Sequence, residues 1–331
     1  CRWRRRSAAS GARSSTATAT TGIAETSSTP GARPEPGRVP SAGSRYVGRF
    51  APSPSGDLHL GSLFTAVASF LDARAHEGSW LVRIEDLDRP RELPGAAGRI
   101  LRCLEAFGLH WDGPPLRQGD RQARYRDCIA ELLSQGRLYR CGCPRQALQG
   151  QAVYPGTCRR HPAPLGSPAA LRFALDAGTV RFEDRIQGSI EQDPAATQGD
   201  FVVQRRDGIL SYMLAVVVDD ADQGVSEVMR GADLLDSTGA QIQLQRSLGF
   251  PTPGFAHLPL LLEPDGSKLA KSRRSVPVDP AAALPTLRFI LSLLGQPPCD
   301  EPLESPEELL AWAAGRWRVE NITRQKQITL R

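Results

Sequence analysis

Lysine is nearly missing from this chain: only Lys268, Lys271 and Lys326 stand among its 41 basic residues. Where arginine serves everywhere else, two lysines three apart mark a task for a compact, mobile point charge, such as contact with phosphate. Long apolar runs are also missing. The longest, MLAVVV at 213–218 and LPLLL at 258–262, are strand-sized. Both fall well short of the ~18 residues needed to cross a bilayer, which excludes a membrane-spanning helix. A global charge is lacking too. The seven arginines and two glutamates of residues 1–44 carry the whole net charge of +5, so the remainder is neutral. Contact with RNA then requires a local patch and not a general positive field. Residues 1–44 contain few large apolar side chains and cannot bury enough surface to fold. They are expected to be a disordered low-complexity extension, with a targeting signal as the alternative. Finally, the seven cysteines are odd in number and unevenly placed, with Cys141, Cys143 and Cys158 close together. That fits a reducing, cytoplasmic setting with one metal site better than a disulfide framework.

What the chain does have begins at residues 49–62, RFAPSPSGDLHLGS. Val47 to Phe50 suits a short strand that the prolines stop. Beyond the turn, Leu60, Leu63, Phe64, Val67, Phe70 and Leu71 recur at helical spacing, and Gly78 is a plausible stop. WLVRIED then reads as a buried parallel strand ending in carboxylates. Strand, turn, helix and strand make a βαβ unit, whose ligand sits beyond the carboxyl ends of the strands. In the turn, Pro52 and Pro54 stiffen the loop, while Gly56 and Gly61 permit close approach of a ligand. The helix N-terminus near His59 favours phosphate, and His59 is placed to donate to it. The plainer reading is an ordinary βα loop with Asp57 as helix cap.

A second motif, DGSKLAKS at 265–272, follows the strand-like LPLLLE and places both lysines on a loop suited to stabilising a leaving pyrophosphate. PSPSGDLHLGS and KLAKS resemble the HIGH and KMSKS motifs of class I aminoacyl-tRNA synthetases in their glutamyl form. RIEDLDRPR, the segment from DGILSYMLAVVVDDAD to RSLG, and FAHLPLLLEPDGSKLAKS match that branch in order and spacing. The resemblance covers about residues 45–280. It departs at Ser62, where many members have a second histidine, and at Leu269-Ala270. After the lysine loop, TLRFILSLLG and PEELLAWAAGRW supply two or three helices, too little for an anticodon-reading body. The short form therefore resembles the glutamyl-Q tRNA(Asp) synthetase family.

That resemblance implies an α/β fold: a Rossmann-like class I synthetase catalytic domain with a zinc-bearing insertion and a short helical C-terminal part. The expected divisions are residues 45–138 and 170–276 for the catalytic halves, 139–169 for the insertion and 277–331 for the helical end. It further implies activation of L-glutamate with Mg2+-ATP, then transfer to the queuosine base of tRNA(Asp). Arg49, Phe50, Ala51, Pro52 and Ser53 would line the glutamate site, with Glu85 facing the α-amino group and Tyr212 and Arg230 completing it. His59 and Lys271 would be catalytic, and His59, Gly61, Lys268 and Lys271 would hold ATP. Asp86 and Asp88 read as structural. Cys141, Cys143 and Cys158 are credible ligands of one structural Zn2+. For the fourth ligand, chemistry alone favours the imidazole of His161, whereas the family pattern favours Tyr154; Tyr154 is the expected ligand, with His161 as its competitor. Two other readings remain open: a truncated glutamyl-tRNA synthetase charging a tRNA 3′ end, and a catalytically dead, zinc-containing RNA-binding paralogue.

Overall fold

The computed structural model describes residues 46–151, 153–267 and 276–330. The expected extension at 1–44 and both lysines, Lys268 and Lys271, lie outside the described residues.

The first unit is β1 (Val47–Phe50), α1 (Leu60–Ala75) and β2 (Ser79–Ile84), with β2 parallel to β1 and Val47 opposite Ser79. Leu63, Phe64, Val67 and Leu71 of α1 are buried, as their spacing requires. Gly78 is not the helix stop. Glu77 takes the left-handed turn with φ 51, and Gly78 instead lets Tyr46 pass: a Cβ there would stand 2.5 Å from the Tyr46 carbonyl oxygen. α2 (Ala96–Ala106) follows, then β3 (Leu116–Arg117) parallel to β2, and α3 (Gln122–Ser134).

The middle of the chain holds β4 (Leu138–Cys141), the single-turn α4 (Thr157–Arg160), β5 (Ala170–Phe173), the hairpin of β6 (Val180–Asp184) and β7 (Gly188–Gln192), the single-turn α5 (Pro194–Thr197) and β8 (Phe201–Gln204). β4, β5 and β8 form a separate antiparallel sheet. α6 (Tyr212–Asp222), β9 (Glu227–Gly231), α7 (Thr238–Ser247), β10 (Gly254–Leu258) and β11 (Leu260–Leu262) come next. The run at 213–218, strand-sized in sequence, is helical. Ser211 caps it by accepting from the Leu214 N–H, and Leu214 to Val218 are all buried. Burial and a good N-cap override the strand preference of its valines. α8 (Ala283–Leu293), α9 (Pro306–Ala314) and β12 (Gln327–Thr329) close the chain, β12 running parallel to β11.

β9, β10 and β6 are parallel, with β7 antiparallel at the edge. The two halves meet where the Ser226 N–H donates to Val47 O at 3.0 Å and the Val47 N–H donates to Ser226 Oγ at 2.9 Å. The spatial order is therefore β3-β2-β1, then β9-β10-β6, a doubly wound sheet with its switch point between β1 and β9. The main core gathers Leu63, Phe64, Trp80 and Ile84 with Leu287, Leu309 and Trp317 of the C-terminal part; a second core joins Tyr125, Phe173, Phe201 and Leu214. Fully buried Asp72 ties three regions by accepting from Tyr46 Oη, from Arg185 at 2.6 and 2.9 Å, and from Trp317 Nε1 at 2.9 Å. Among the described residues no helix is long and apolar enough to cross a membrane.

Candidate active site

A cavity of about 810 Å³ opens at the carboxyl ends of β1, β2 and β9, where a doubly wound sheet holds its ligand. Its walls include Arg49, Phe50, Ala51, Pro52 and Ser53 after β1, Glu85 after β2, Tyr212 at the start of α6 and Arg230 in β9. His59, Gly61 and Ser62 join them from the start of α1. Every expected glutamate-site residue, and both expected nucleotide residues outside the lysine loop, thus share one cavity.

The loop after β1 is pinned by its neighbours. The Glu85 N–H donates to Pro52 O and the Leu93 N–H to Pro54 O, each at 3.0 Å. Asp57 is not the helix cap, because it is paired with Arg99 at 2.6 Å. His59 caps α1 instead: its Nδ1 accepts the Ser62 N–H at 3.3 Å, and its Nε2 lies 3.0 Å from Ser62 Oγ. With Nδ1 accepting, Nε2 carries the proton of the neutral ring. Behind the lysine segment the chain returns to this spot. The Val278 N–H donates to Leu58 O at 3.0 Å, and Pro277 bridges His59. Leu260 and Leu261, ahead of that segment, line the cavity.

The cavity's charges differ in how they are answered. Arg49 is buried and donates from Nε to Asp220 Oδ1 at 3.1 Å and from Nη1 to Met229 O at 3.3 Å. Arg83 donates to the same Asp220 oxygen at 2.7 Å. Glu85 lies near both arginines, its Oε1 3.7 Å from Arg83 Nη2, yet that oxygen is buried without a hydrogen bond. Burial pushes the Glu85 carboxyl up to about 7 against the pull of Arg83 and Arg49. Arg230 is buried and, among the described residues, pairs with no carboxylate. Its partners are His257, Tyr212 and Thr238, and burial lowers its pKa. One buried cation that pairs with no carboxylate among the described residues, beside one buried, under-bonded carboxylate, suits a zwitterion carrying a further carboxylate.

Asp220, Arg83, Thr238 and His257 support this site and were not expected from sequence. Asp219-Asp220 inside an apolar run and a lone histidine in FAHLPLLL were the available signals. Asp86 holds the Gly119 N–H at 2.6 Å, whereas Asp88 reaches the cavity wall and pairs with Arg91 at 3.2 Å.

Away from the cavity, the sulfurs of Cys141, Cys143 and Cys158 lie within 4.8 Å of one another. Tyr154 Oη is 3.4 Å from Cys141 Sγ and 3.8 Å from Cys143 Sγ, and Cys143 and Cys158 sulfurs are 3.4 Å apart. A zinc tetrahedron with ~2.3 Å bonds to sulfur has edges of roughly 3.8 Å, so this donor set fits one. The Cys158 N–H donates to Tyr154 Oη at 3.0 Å, and the Arg172 guanidinium lies 3.8 Å over the Tyr154 ring. Burial alone would raise the Cys141 thiol; hydrogen bonds from Tyr154 and Arg172 prevail and bring it down to about 7. Exposed His161 is not in the group.

Residues 46–154 and 158–285 match the family described as tRNA synthetases class I (E and Q), catalytic domain. A protein of Ectopseudomonas mendocina named glutamyl-Q tRNA(Asp) synthetase is 51% identical over 287 residues, covering 86% of this chain and 97% of that protein. One of the same name from Aromatoleum aromaticum is 49% identical over 300 residues, covering 87% and 94%. Among solved structures, a glutamate tRNA ligase from Elizabethkingia meningosepticum, in complex with its amino acid, shares the fold with a TM-score of 0.73 and 24% identity, over 86% of this chain and 67% of that one. The glutamate-tRNA synthetase of Elizabethkingia anophelis aligns with a TM-score of 0.74 and 24% identity, over 87% and 68%. The chain belongs to the class I tRNA synthetases of the E and Q branch, among the glutamyl-Q tRNA(Asp) synthetases.

Proposed function

We propose that the chain activates L-glutamate with ATP, without tRNA, and transfers it to the queuosine base of tRNA(Asp). The observation that carries this reading is about half identity to proteins of that name across nearly their whole length. The cavity supports it chemically. Arg230, a buried cation that pairs with no carboxylate among the described residues, takes a substrate carboxylate, and Glu85 takes the α-ammonium. An ammonium beside Glu85 holds it ionised despite its burial. Phe50, Ala51, Pro52 and Ser53 line the same cavity, as do Arg49 and Tyr212.

The glutamate carboxylate attacks the α-phosphorus of ATP in line, giving glutamyl-adenylate and pyrophosphate. No side-chain nucleophile is required, so catalysis consists of positioning and charge stabilisation. His59 Nε2–H and the N-terminus of α1 meet phosphoryl oxygens, with Gly61 admitting them closely. Lys268 and Lys271 neutralise the leaving pyrophosphate. Mg2+ would come bound to the nucleotide and would supply Lewis-acid charge there; no residue of the chain is assigned to it. Cys141, Cys143, Cys158 and Tyr154 would hold one Zn2+, which would close the insertion as a structural site. In the second step a hydroxyl of the splayed, modified base attacks the activated carbonyl: an ester C–O bond forms, the acyl–phosphate bond breaks, AMP leaves, and the hydroxyl proton is lost to solvent.

The decisive experiment incubates the purified protein with labelled glutamate and tRNA(Asp) containing or lacking queuosine, after measuring glutamate-dependent ATP–pyrophosphate exchange without tRNA. Label on the queuosine-containing tRNA alone is expected. Label on both forms or on neither, or charging of tRNA(Glu), overturns the reading.

A further inference from the structure

Each polar partner of the Arg230 guanidinium is formally uncharged. Nε–H donates to His257 Nε2 at 3.0 Å, an Nη2–H to Thr238 Oγ1 at 2.8 Å, and an Nη1–H to Tyr212 Oη at 3.5 Å. A guanidinium is a donor only, so His257 Nε2 must present a lone pair. The ring proton then sits on Nδ1, which faces Asp184 Oδ2 at 2.5 Å. The other oxygen of Asp184 accepts backbone N–H groups from Ile186 at 3.0 Å, Gln187 at 2.8 Å and His257 at 3.2 Å. Burial works against the Asp184 charge, but the bonds from His257 and Gln187 outweigh it and hold the carboxyl below its usual range. Burial is also the largest influence on His257 and favours its neutral ring. Neither Asp184 nor His257 lines the cavity.

We propose that Asp184 and His257 are positioning residues: the buried carboxylate fixes the tautomer of His257, and the imidazole aims Arg230 at a carboxylate of the amino-acid substrate. This rests on the glutamate reading of the cavity. The interposed ring is what makes the arrangement useful. Asp220 sits directly on Arg49 and answers its charge. A carboxylate directly on Arg230 would do the same and compete with substrate. The imidazole transmits orientation while holding the negative charge one side chain further off, so Arg230 reaches the cavity fixed and still cationic.

Asp184→Asn is the sharpest test. Its amide oxygen can keep the three backbone N–H groups, while its NH2 faces Nδ1 and drives the ring proton to Nε2, against the Arg230 Nε–H. An equivalent swap in a serine-protease triad imposes the wrong tautomer while leaving the geometry intact. His257→Gln offers a carbonyl acceptor to Arg230; His257→Leu offers none. In glutamate-dependent ATP–pyrophosphate exchange, D184N and H257L are expected to raise the KM for glutamate about tenfold or more. The KM for ATP stays at the wild-type value, and H257Q stays within about threefold of wild type for glutamate. A wild-type KM for glutamate in D184N overturns the proposal. So does H257Q as impaired as H257L, or a KM for ATP that rises in step. If D184N does not fold, the contrast between H257Q and H257L decides the matter. Independently of activity, 15N NMR of the five histidines of the full chain reads the tautomer. His257 protonated on Nδ1 in the wild type is expected, and protonation on Nε2 refutes the arrangement. A wild-type protein without glutamate-dependent exchange but with the Nδ1–H tautomer would instead refute the glutamate reading.

Discussion

Asp220 Oδ1 accepts from Arg49 Nε at 3.1 Å, and both side chains are almost wholly buried. The same oxygen also serves Arg83, so one carboxylate holds two guanidiniums, that of the cavity-lining Arg49 and that of Arg83. Asp220→Ala would leave both cations buried without it, a loss of about 3–5 kcal/mol. Asp220→Asn keeps an acceptor in place and should cost less. Urea unfolding at neutral pH checks this; equal midpoints for D220A and wild type would show that the oxygen holds nothing.

Glu85 predicts a trade of activity against stability. Its folded-state value of about 7 lies above the ordinary 4.5. The stabilisation from its protonated form is therefore complete below the ordinary value and is lost as pH rises through 7. Above that, the ionised carboxylate weakens the fold by about 3 kcal/mol. Glu85→Gln should raise the urea midpoint at about pH 8 and match the wild type near pH 4. The same variant should lose glutamate-dependent exchange. A midpoint at pH 8 no higher than wild type would contradict this account.

The cysteine group predicts one equivalent of zinc per chain. Ser in place of Cys141, Cys143 or Cys158 should abolish retention, Tyr154→Phe should weaken it, and His161→Ala should leave metal content unchanged. Chelation should lower the thermal midpoint by several degrees or more. Elemental analysis after dialysis decides between Tyr154 and His161: loss of zinc in H161A with wild-type retention in Y154F reverses the assignment.

Asp72 should make the fold acid-sensitive. Burial opposes its charge, but hydrogen bonds from Arg185, Tyr46 and Trp317 overcome that and depress its pKa. A depressed carboxylate contributes stability at neutral pH and loses it as pH falls through the depressed value. Trp317→Phe removes one donor to a charged acceptor and should cost about 1.5–3 kcal/mol. Its deficit should shrink in acid. A deficit that stays constant across the acid range would refute the linkage.

The β1–turn–α1–β2 unit was legible because its signals are local: alternate prolines and glycines, then an apolar stripe at helical spacing. The cavity's wall residues were legible through motif resemblance. Their support was not. Asp184 and His257 lie 73 residues apart in sequence, and Arg49 and Asp220 lie 171 apart. No periodicity announces such a pairing. The run at 213–218 is strand-sized and rich in β-branched residues, which favour strands, yet it forms a helix whose residues Leu214 to Val218 are all buried. Gly78 misled for a related reason. A glycine near a helix end suggests a cap, yet this one is required by a distant backbone, that of Tyr46.

The parallel pairing of β12 with β11 gives residues 327–329 a mechanical role. Gln327, Ile328 and Thr329 stand opposite Leu260, Leu261 and Leu262 of β11. Val278, which follows residues 268–275 in sequence, is anchored to Leu58 by a 3.0 Å hydrogen bond. Deleting those three residues would leave β11, whose Leu260 and Leu261 line the cavity, without the only strand it pairs with among the described residues.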